Sequence, residues 1–189
     1  MYAADDSPRR HPLTVEDYYR MAEVGILDHE ARVELIEGDI IDMAPPGSEH
    51  AATVTYLTEL LVRAAAGRAH VLAQNPVRLS DFSEPQPDLA LLRRREDFYR
   101  ERHPQPGDVL LVVEVAATSL KFDRDTKLPL YARHGIPELW LVDLGGRRLV
   151  RHRGLQQSSY RLVDEPDVGV VLELPGLSGV TVDLRRLFG

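Results

Sequence analysis

Two acidic residues stand near strand ends in otherwise apolar stretches of the sequence. Asp88 lies in Gln-Pro-Asp-Leu-Ala-Leu-Leu, at the start of a predicted strand, and Glu114 interrupts the β-branched run Val-Leu-Leu-Val-Val-Glu-Val-Ala at 109–116. Aspartate is disfavoured in strands, and a buried carboxylate must be paired, hydrogen-bonded or bound to a metal. A structural salt bridge would satisfy Asp88 alone, whereas two such residues at the ends of neighbouring strands favour a shared site.

Two carboxylates presented side by side have the donor chemistry that Mg²⁺ or Mn²⁺ prefers. Magnesium takes near-octahedral oxygen ligation and keeps several waters beside one or two carboxylates. That arrangement leaves room for a phosphate, which the metal polarises, and for an attacking water. Glu114 lies near the C-terminal end of a predicted central strand, where open α/β sheets usually place their ligand sites. The pair therefore predicts a site for metal-assisted hydrolysis.

Lysine is rare in this chain and lies close to Glu114 in sequence. Of the 23 basic residues 21 are arginine, and the two lysines are Lys121 and Lys127. An ammonium is a compact donor whose pKa can shift, whereas a guanidinium stays planar and charged. Lys127, on a helix predicted after Glu114, could hold or deprotonate an attacking water, or stabilise the pentavalent phosphate. The alternatives are a surface Lys127 paired with Asp123, and Lys121, in the predicted preceding loop, as the active lysine.

The elements that must position these residues follow from hydrophobic periodicity and turn residues. In the N-terminal half they are a polar flexible arm at 1–12, a helix from the Thr14/Asp17 capping box to about Val24, strands at 32–36 and 39–43 around Glu37-Gly38, and a helix at about 49–66 capped by Ser48.

The C-terminal half is predicted to be richer in strands. Its elements are strands at 71–74, 77–79, 87–92 and 109–116, a helix at 123–134, a strand at 138–142, short strands between about 147 and 183, and a final segment at 184–188. This order predicts an α/β (α+β) domain at 13–189 with a mixed central sheet flanked by helices and a β-rich C-terminal part.

Composition narrows the class of protein. With 189 residues, 43% hydrophobic and 28% charged, the chain fits one globular domain. No run reaches the roughly 18 apolar residues of a membrane span, and the N-terminus MYAADDSPRRHP lacks the apolar region of a secretory signal. The absence of cysteine excludes disulfides and thiolate metal sites and predicts a cytoplasmic location.

The net charge of −7 argues against a protein that coats nucleic acid by bulk electrostatics. Local basic patches could still contact phosphates, although a solvated loop and a solvated hairpin are the favoured explanation of the two patches. The two patches comprise Arg93, Arg94, Arg95, Arg100 and Arg102, and Arg147, Arg148, Arg151 and Arg153.

The sequence pattern around the two carboxylates resembles a known motif. Pro87-Asp88 followed by Glu114 is similar to the P-D…(D/E)-x-K motif of the restriction-endonuclease-like superfamily, with Ala116 where that motif has its lysine. Lys127 matches a variant in which the lysine has moved to the following helix. Further matching stretches are Val-Glu-Leu-Ile-Glu-Gly at 33–38, Pro-Pro-Gly…His at 45–50 and Gly-Ile-Pro-Glu-Leu-Trp at 135–140. Over about residues 12–188 the chain resembles the Uma-two family of restriction-endonuclease-like proteins.

The resemblance implies a PD-(D/E)XK fold, a Mg²⁺ or Mn²⁺ site and a homodimer that cleaves nucleic acid, DNA foremost. Carried over by position, Asp88 and Glu114 would be metal ligands. Lys127 would be the catalytic base or the group that orients the attacking water.

Three accessory residues follow from the same resemblance. Glu34 matches a carboxylate of the N-terminal hairpin that could complete the metal site. His50 matches the histidine after the Pro-Pro-Gly turn, where a catalytic role and a helix-terminus hydrogen bond are equally open. Tyr131 lies one turn beyond Lys127 and could serve packing alone.

Two other classes of function compete with a metal-dependent endonuclease. A catalytically silent binding or regulatory module of the same fold is compatible with the acidic net charge and with the absence of a helix-turn-helix or zinc module. A different metal hydrolase is disfavoured because zinc sites prefer His or Cys ligands. The seven histidines show no metal-ligand spacing.

Overall fold

A computed structural model describes residues 10–28, 30–167 and 169–189 of the protein. Most of the predicted flexible arm at 1–12 lies outside the described residues. Helix α1 (Val15–Glu23) starts at Thr14, whose side chain and that of Asp17 form the predicted capping box. This reciprocal pairing satisfies backbone donors that the first helical turn leaves free.

An antiparallel hairpin follows α1 and carries one of the predicted site residues. Strands β1 (Val33–Ile36) and β2 (Asp39–Asp42) meet at the turn Glu37-Gly38, where both residues have positive φ. Glycine is needed here because a side chain at Gly38 would collide with the Pro12 backbone and ring. Glu34 lies on β1 and is buried.

Helix α2 (Ser48–Ala65) is the longest helix and packs along one face of the main sheet. The prediction that Ser48 caps this helix is wrong, because Gly47 occupies the cap position and Ser48 is the first helical residue. The helix ends as predicted at Ala66 and Gly67, both of which have positive φ.

A six-stranded mixed sheet organises the rest of the chain. Its strands are β3 (Ala69–Ala73), β4 (Leu89–Arg93), β5 (Val109–Ala116), β6 (Leu139–Asp143), β7 (Arg148–Gln156) and β8 (Ser159–Asp164). They lie side by side in sequence order, and only the β5–β6 pair is parallel. Two short strands, β9 (Val171–Glu173) and β10 (Thr181–Asp183), form a separate antiparallel pair. The predicted α/β class with a flanked mixed sheet and a β-rich C-terminal part is confirmed.

Strand β5 is buried along its whole length because the sheet is covered on both faces. Leu111, Val113 and Val115 pack into the core shared with α2, while Val112 and Ala116 face the core on the opposite side. Covering both faces explains the near-continuous apolar run of this strand.

One element prediction was wrong, and another misplaced the start of a helix. Residues 77–79 are not a strand: Val77 and Leu79 are buried in an extended segment whose amides donate to Pro85 and Ser83. The helix predicted at 123–134 begins earlier, as α3 (Leu120–Phe122), and passes through a π-helical turn (Asp123–Lys127) into α4 (Leu128–Arg133). Pro129 is in the first turn of α4, where its missing N–H is tolerated.

Among the described residues, no helix is both long and apolar enough to cross a membrane.

Candidate active site

Asp88 and Glu114 meet at the carboxyl end of β5. Because β4 runs antiparallel to β5, the residue before β4 lies beside the end of β5. The Val115 amide donates to Asp88 Oδ2 at 2.8 Å, and the Asp88 amide lies 3.4 Å from Glu114 Oε2. The structure therefore brings together the two carboxylates that the sequence singled out.

Lys127 enters the same site from the opposite side. Its Nζ lies 3.3 Å from Glu114 Oε1 and 3.1 Å from Glu34 Oε2, and its side chain is only 6% exposed. The alternative of a surface lysine is therefore wrong. Lys121 is exposed on α3 and is absent from the ion pairs of this cluster among the described residues.

The π-helical turn between α3 and α4 ends at Lys127. Such turns insert one extra residue into a helix and are frequent at functional sites. Asp123, Lys127 and Tyr131 follow at four-residue intervals, and all three are buried. The turn and the start of α4 therefore direct three polar side chains into the site.

Glu34 joins the site through the N-terminal hairpin. Besides contacting Lys127, its Oε2 accepts a hydrogen bond from the Gln86 amide at 3.0 Å. This contact ties β1 to the segment that precedes Asp88. The hairpin therefore brings its predicted carboxylate, that of Glu34, next to Lys127.

Tyr131 does more than pack. Its hydroxyl donates to Glu114 Oε1 at 2.7 Å, and the ring is fully buried. Burial, and then the nearby carboxylate of Glu114, raise the pKa of Tyr131 well above its ordinary value, so the hydroxyl stays a donor. This bond fixes the orientation of the Glu114 carboxylate.

His50, in the first turn of α2, reaches Asp88. Its Nε2 lies 3.1 Å from Asp88 Oδ1, and this hydrogen bond raises the pKa of His50. Within the described part of the chain, its buried Nδ1 has no hydrogen-bond partner. Both oxygens of Asp88 are therefore held, one by the imidazole and one by the Val115 amide.

Asp123 is a fourth carboxylate that the sequence did not assign to the site. It is buried, and its Oδ2 accepts a hydrogen bond from Ser119 Oγ at 2.5 Å. Burial raises the pKa of Asp123, and Lys127 acts to lower it. Its spacing of four residues from Lys127 was the available signal, but that spacing also suits a surface ion pair.

The site contains more acidic than basic side chains. Among the described residues, Glu34, Glu114 and Asp123 act on Lys127, Asp88 lies beside Glu114, and His50, in contact with Asp88, can also carry a positive charge. Burial raises the pKa of Glu114 to about 8, although Lys127 acts to lower it. Burial alone would lower the pKa of Lys127, but the carboxylates of Glu114 and Glu34 outweigh burial and raise it. An additional cation would relieve this imbalance.

Asp88 and Glu114 could hold a divalent metal ion. Their carboxylate oxygens are hard donors, and two carboxylates with several waters are sufficient for Mg²⁺. In the described residues, no three His, Cys, Asp or Glu side chains already converge as a ligand set. The oxygens instead accept hydrogen bonds from Val115, His50 and Tyr131. The donor chemistry and the charge imbalance fit a divalent cation whose remaining ligands are water.

The two predicted basic patches are largely paired with acidic side chains. In the first, Arg95 binds Asp97 and Arg102 binds Asp108, each with a shortest distance of 2.7 Å. The second patch shows the same pattern with ion pairs Arg148–Asp143, Arg151–Asp164 and Arg153–Asp164. Most of these arginines therefore stabilise local structure.

Comparisons with known proteins agree with this fold. The family model "Uma2: Putative restriction endonuclease" matches residues 15–185. The structure is similar to that of a putative nuclease belonging to DUF820 from Anabaena variabilis, with a TM-score of 0.74 and 16% sequence identity over 94% of this chain and 98% of that chain. A search of curated proteins finds no match. At this level of identity the structural likeness shows the fold alone.

Proposed function

The chain belongs to the Uma2 family of putative restriction endonucleases, and from this premise we propose that it is a metal-dependent endonuclease that hydrolyses phosphodiester bonds in nucleic acid. The observation that carries this proposal is the buried cluster at the end of β5, with two adjacent carboxylates, Asp88 and Glu114, beside the ammonium of Lys127. Removing charged groups from water is costly, so a cluster with excess charge is better explained by a bound cation than by stability.

In this proposal Asp88 and Glu114 hold Mg²⁺ or Mn²⁺. When bound, the ion polarises the scissile phosphate and lowers the pKa of a coordinated water. Tyr131 and His50 act through the two carboxylates, because each donates to one of them and fixes its orientation. Both are therefore positioning residues.

In this proposal Lys127 acts on the attacking water. Its two ion pairs, with Glu34 and Glu114, favour the ammonium form, which donates hydrogen bonds and stabilises the negative charge that develops on the phosphate. This favours a water-orienting role for Lys127 over that of the general base. Glu34 holds Lys127 in place and could also bind a water of the metal shell.

The test is a cleavage assay on plasmid and oligonucleotide DNA, with RNA in parallel, in the presence of Mg²⁺ or Mn²⁺. We expect Asp88→Asn and Glu114→Gln each to lower the rate by a factor on the order of 10³, because each removes a ligand or charge needed in the transition state. The matched control is Glu37→Gln, which removes an exposed carboxylate paired with Arg133 and should leave the rate unchanged. Equal activity of the wild type and the two site variants would contradict the proposal.

A catalytically silent nucleic-acid-binding module is the second candidate, and the net charge of −7 favours it because such a chain repels phosphate overall. Purified protein that binds oligonucleotides but does not cleave them under any divalent ion would support this candidate instead.

Three further properties complete the proposal. A homodimer is expected from the family resemblance, and analytical ultracentrifugation tests it. Residues 13–189 are expected to resist limited proteolysis as one domain, and cell fractionation tests the expected cytoplasmic location.

A further inference from the structure

The loop after β4 contains a turn with an unusual composition. In the turn Asp97–Arg100, the Arg100 amide donates to the Asp97 carbonyl at 3.0 Å, and both central residues are left-handed, with φ of 52° at Phe98 and 59° at Tyr99. Turns of this class favour Asn-Gly, since bulky side chains are strained at positive φ. The hairpin turn Glu37-Gly38 follows that preference, whereas this turn places two aromatic residues there.

The strained turn is held by several specific contacts. Arg95 makes two hydrogen bonds of 2.7 Å to the Asp97 carboxylate, and its guanidinium lies 5.1 Å from the centre of the Tyr99 ring. The Tyr99 hydroxyl donates to the Arg93 carbonyl at 2.7 Å. The loop is therefore braced in a conformation that its central residues disfavour, and such strain is concentrated at functional sites.

The conformation exposes the ring of Phe98. The residue is 64% exposed, and its ring rests on His70 with 4.7 Å between ring centres. His70 is fixed in turn, because its Nε2 lies 2.8 Å from the Arg95 carbonyl oxygen. The guanidinium of Arg94 lies 5.5 Å from the Phe98 ring centre, and its ion pair with exposed Glu96 is long at 3.9 Å. Arg94 also donates a hydrogen bond of 3.2 Å to the Gly67 carbonyl, so its guanidinium is held beside the supported ring, with only the long contact to a carboxylate.

We propose that Phe98 is a stacking platform for an unpaired nucleobase of the nucleic-acid substrate, with Arg94 binding an adjacent phosphate. Aromatic rings stack on bases of any sequence, and an arginine beside them binds the backbone. Arg95 and Arg102 are paired with aspartates, so the argument for nucleic acid rests on the exposed Phe98 ring beside Arg94, which offers a base and a phosphate a contact each. This inference rests on the proposed nuclease function and specifies its substrate as nucleic acid with a single-stranded segment.

The position of the platform sets a distance from the site of cleavage. Asp88 precedes β4 and the loop follows it, so the five residues of the strand separate them. At about 3.3 Å per residue this is roughly 17 Å. The platform and the proposed site of cleavage therefore lie at opposite ends of β4.

The binding test uses full-length protein and fluorescein-labelled DNA, and it measures fluorescence anisotropy in EDTA so that neither metal nor cleavage is required. The probes are a duplex with a single-stranded tail, the blunt duplex, and the tailed duplex with an abasic tail. We expect Phe98→Ala to weaken binding of the tailed duplex about ten-fold and to remove the preference over the blunt and abasic probes. Phe82→Ala, which truncates another exposed phenylalanine in a different turn, should bind like the wild type.

A second variant separates recognition from folding. The variant Phe98→Asn replaces the ring with a residue that tolerates positive φ, keeps Tyr99 with its contacts to Arg93 and Arg95, and should leave the thermal unfolding temperature unchanged or higher. The same variant should lose tail binding as Phe98→Ala does. Unchanged or higher stability with unchanged tail binding would overturn the proposal, because the ring would then have no role in recognition.

Two other results also overturn it. Equal affinity of wild type and Phe98→Ala for all three probes would exclude a base platform. A Phe98→Ala effect confined to self-association in sedimentation would make the ring a protein contact. Because binding is read in EDTA, a wild type that binds tails but never cleaves would refute the nuclease proposal and leave the platform supported.

Discussion

The two ends of β4 use charge in opposite ways. At the start of the strand, the buried carboxyl groups of Glu34, Glu114 and Asp123 surround Lys127, and Asp88, which is partly buried, lies beside Glu114, so acidic groups outnumber basic ones. At its end, the arginine-rich loop pairs Arg95 and Arg102 with aspartates at or near the surface. Surface ion pairs in water contribute little free energy, whereas a charge without water must be compensated. The start of β4 has fewer charged residues than the arginine-rich loop, but its buried charges are the stronger evidence of a functional site.

The comparison also shows why charge counts alone are misleading. The runs of arginine are the most conspicuous charged feature of the sequence, yet many of those arginines have local acidic partners. What distinguishes the arginine-rich loop is its exposed Phe98. What distinguishes the cluster at the start of β4 is burial, which raises the pKa of Glu114 and of Asp123.

The largest expected effect is that of removing the central lysine. Lys127→Met leaves the carboxylates of Glu34 and Glu114 buried without their counter-charge, so we expect the free energy of unfolding in EDTA at pH 8 to fall by about 3–5 kcal/mol. Urea unfolding measures this change. The matched control is Lys121→Met, which removes the exposed lysine of α3 and should change stability by less than about 0.5 kcal/mol. Similar losses of stability for both variants would show that the buried ion pairs of Lys127 stabilise the fold no more than an exposed lysine does.

A smaller effect is expected in the pH dependence of stability. Burial raises the pKa of Glu114 from 4.5 to about 8, so the folded chain holds this proton more tightly than the unfolded chain does. The stability contributed by Glu114 is fully present below the unfolded pKa and is lost as the pH rises through the folded pKa.

Glu114→Gln removes this titration. In EDTA, the free energy of unfolding of the wild type should fall relative to that of Glu114→Gln by up to about 4 kcal/mol when the pH is raised from about 5 to about 9, since one pKa unit corresponds to about 1.4 kcal/mol. Urea titrations at both pH values measure it, with Glu37→Gln as the control. Parallel pH profiles for the wild type and Glu114→Gln would mean that Glu114 is ionised in the metal-free fold.

The smallest effect is expected at the other end of β4. Arg102→Gln breaks an ion pair of 2.7 Å with Asp108 in which the arginine is partly exposed. Its stability cost should be about 0.2–1 kcal/mol, and high salt should reduce the difference. A loss as large as that of Lys127→Met would abolish the contrast between the two ends of the strand.

Much of the fold followed from local sequence signals. Local signals predicted the strands β1 and β2 from their alternation, the turn at Glu37-Gly38, and β5 from its apolar run. These predictions succeeded because local backbone preference and burial favour the same element at each position. The predicted strand at 77–79 failed because apolar residues in an extended, buried segment leave the same pattern as a strand.

The candidate site was predictable in part. Asp88 and Glu114 stood out because carboxylates are unusual in apolar strands, and the structure joins them. Lys127 and Asp123 lie at the two ends of a π-helical turn that periodicity does not anticipate, and their spacing of four residues suits a surface ion pair as well as a buried cluster. Contacts across long sequence separations, such as Tyr131 with Glu114, required the three-dimensional structure.

The most direct test of the central claim is Mn²⁺ binding measured by isothermal titration calorimetry at pH 8. The account predicts that the wild type binds Mn²⁺ and that the double variant Asp88→Asn, Glu114→Gln does not, while Glu37→Gln binds like the wild type. Either of two results would contradict the assignment of the cluster at the end of β5 as a metal site. The first is that the double variant binds Mn²⁺ with wild-type affinity and stoichiometry, and the second is that the wild type does not bind Mn²⁺ at millimolar concentration.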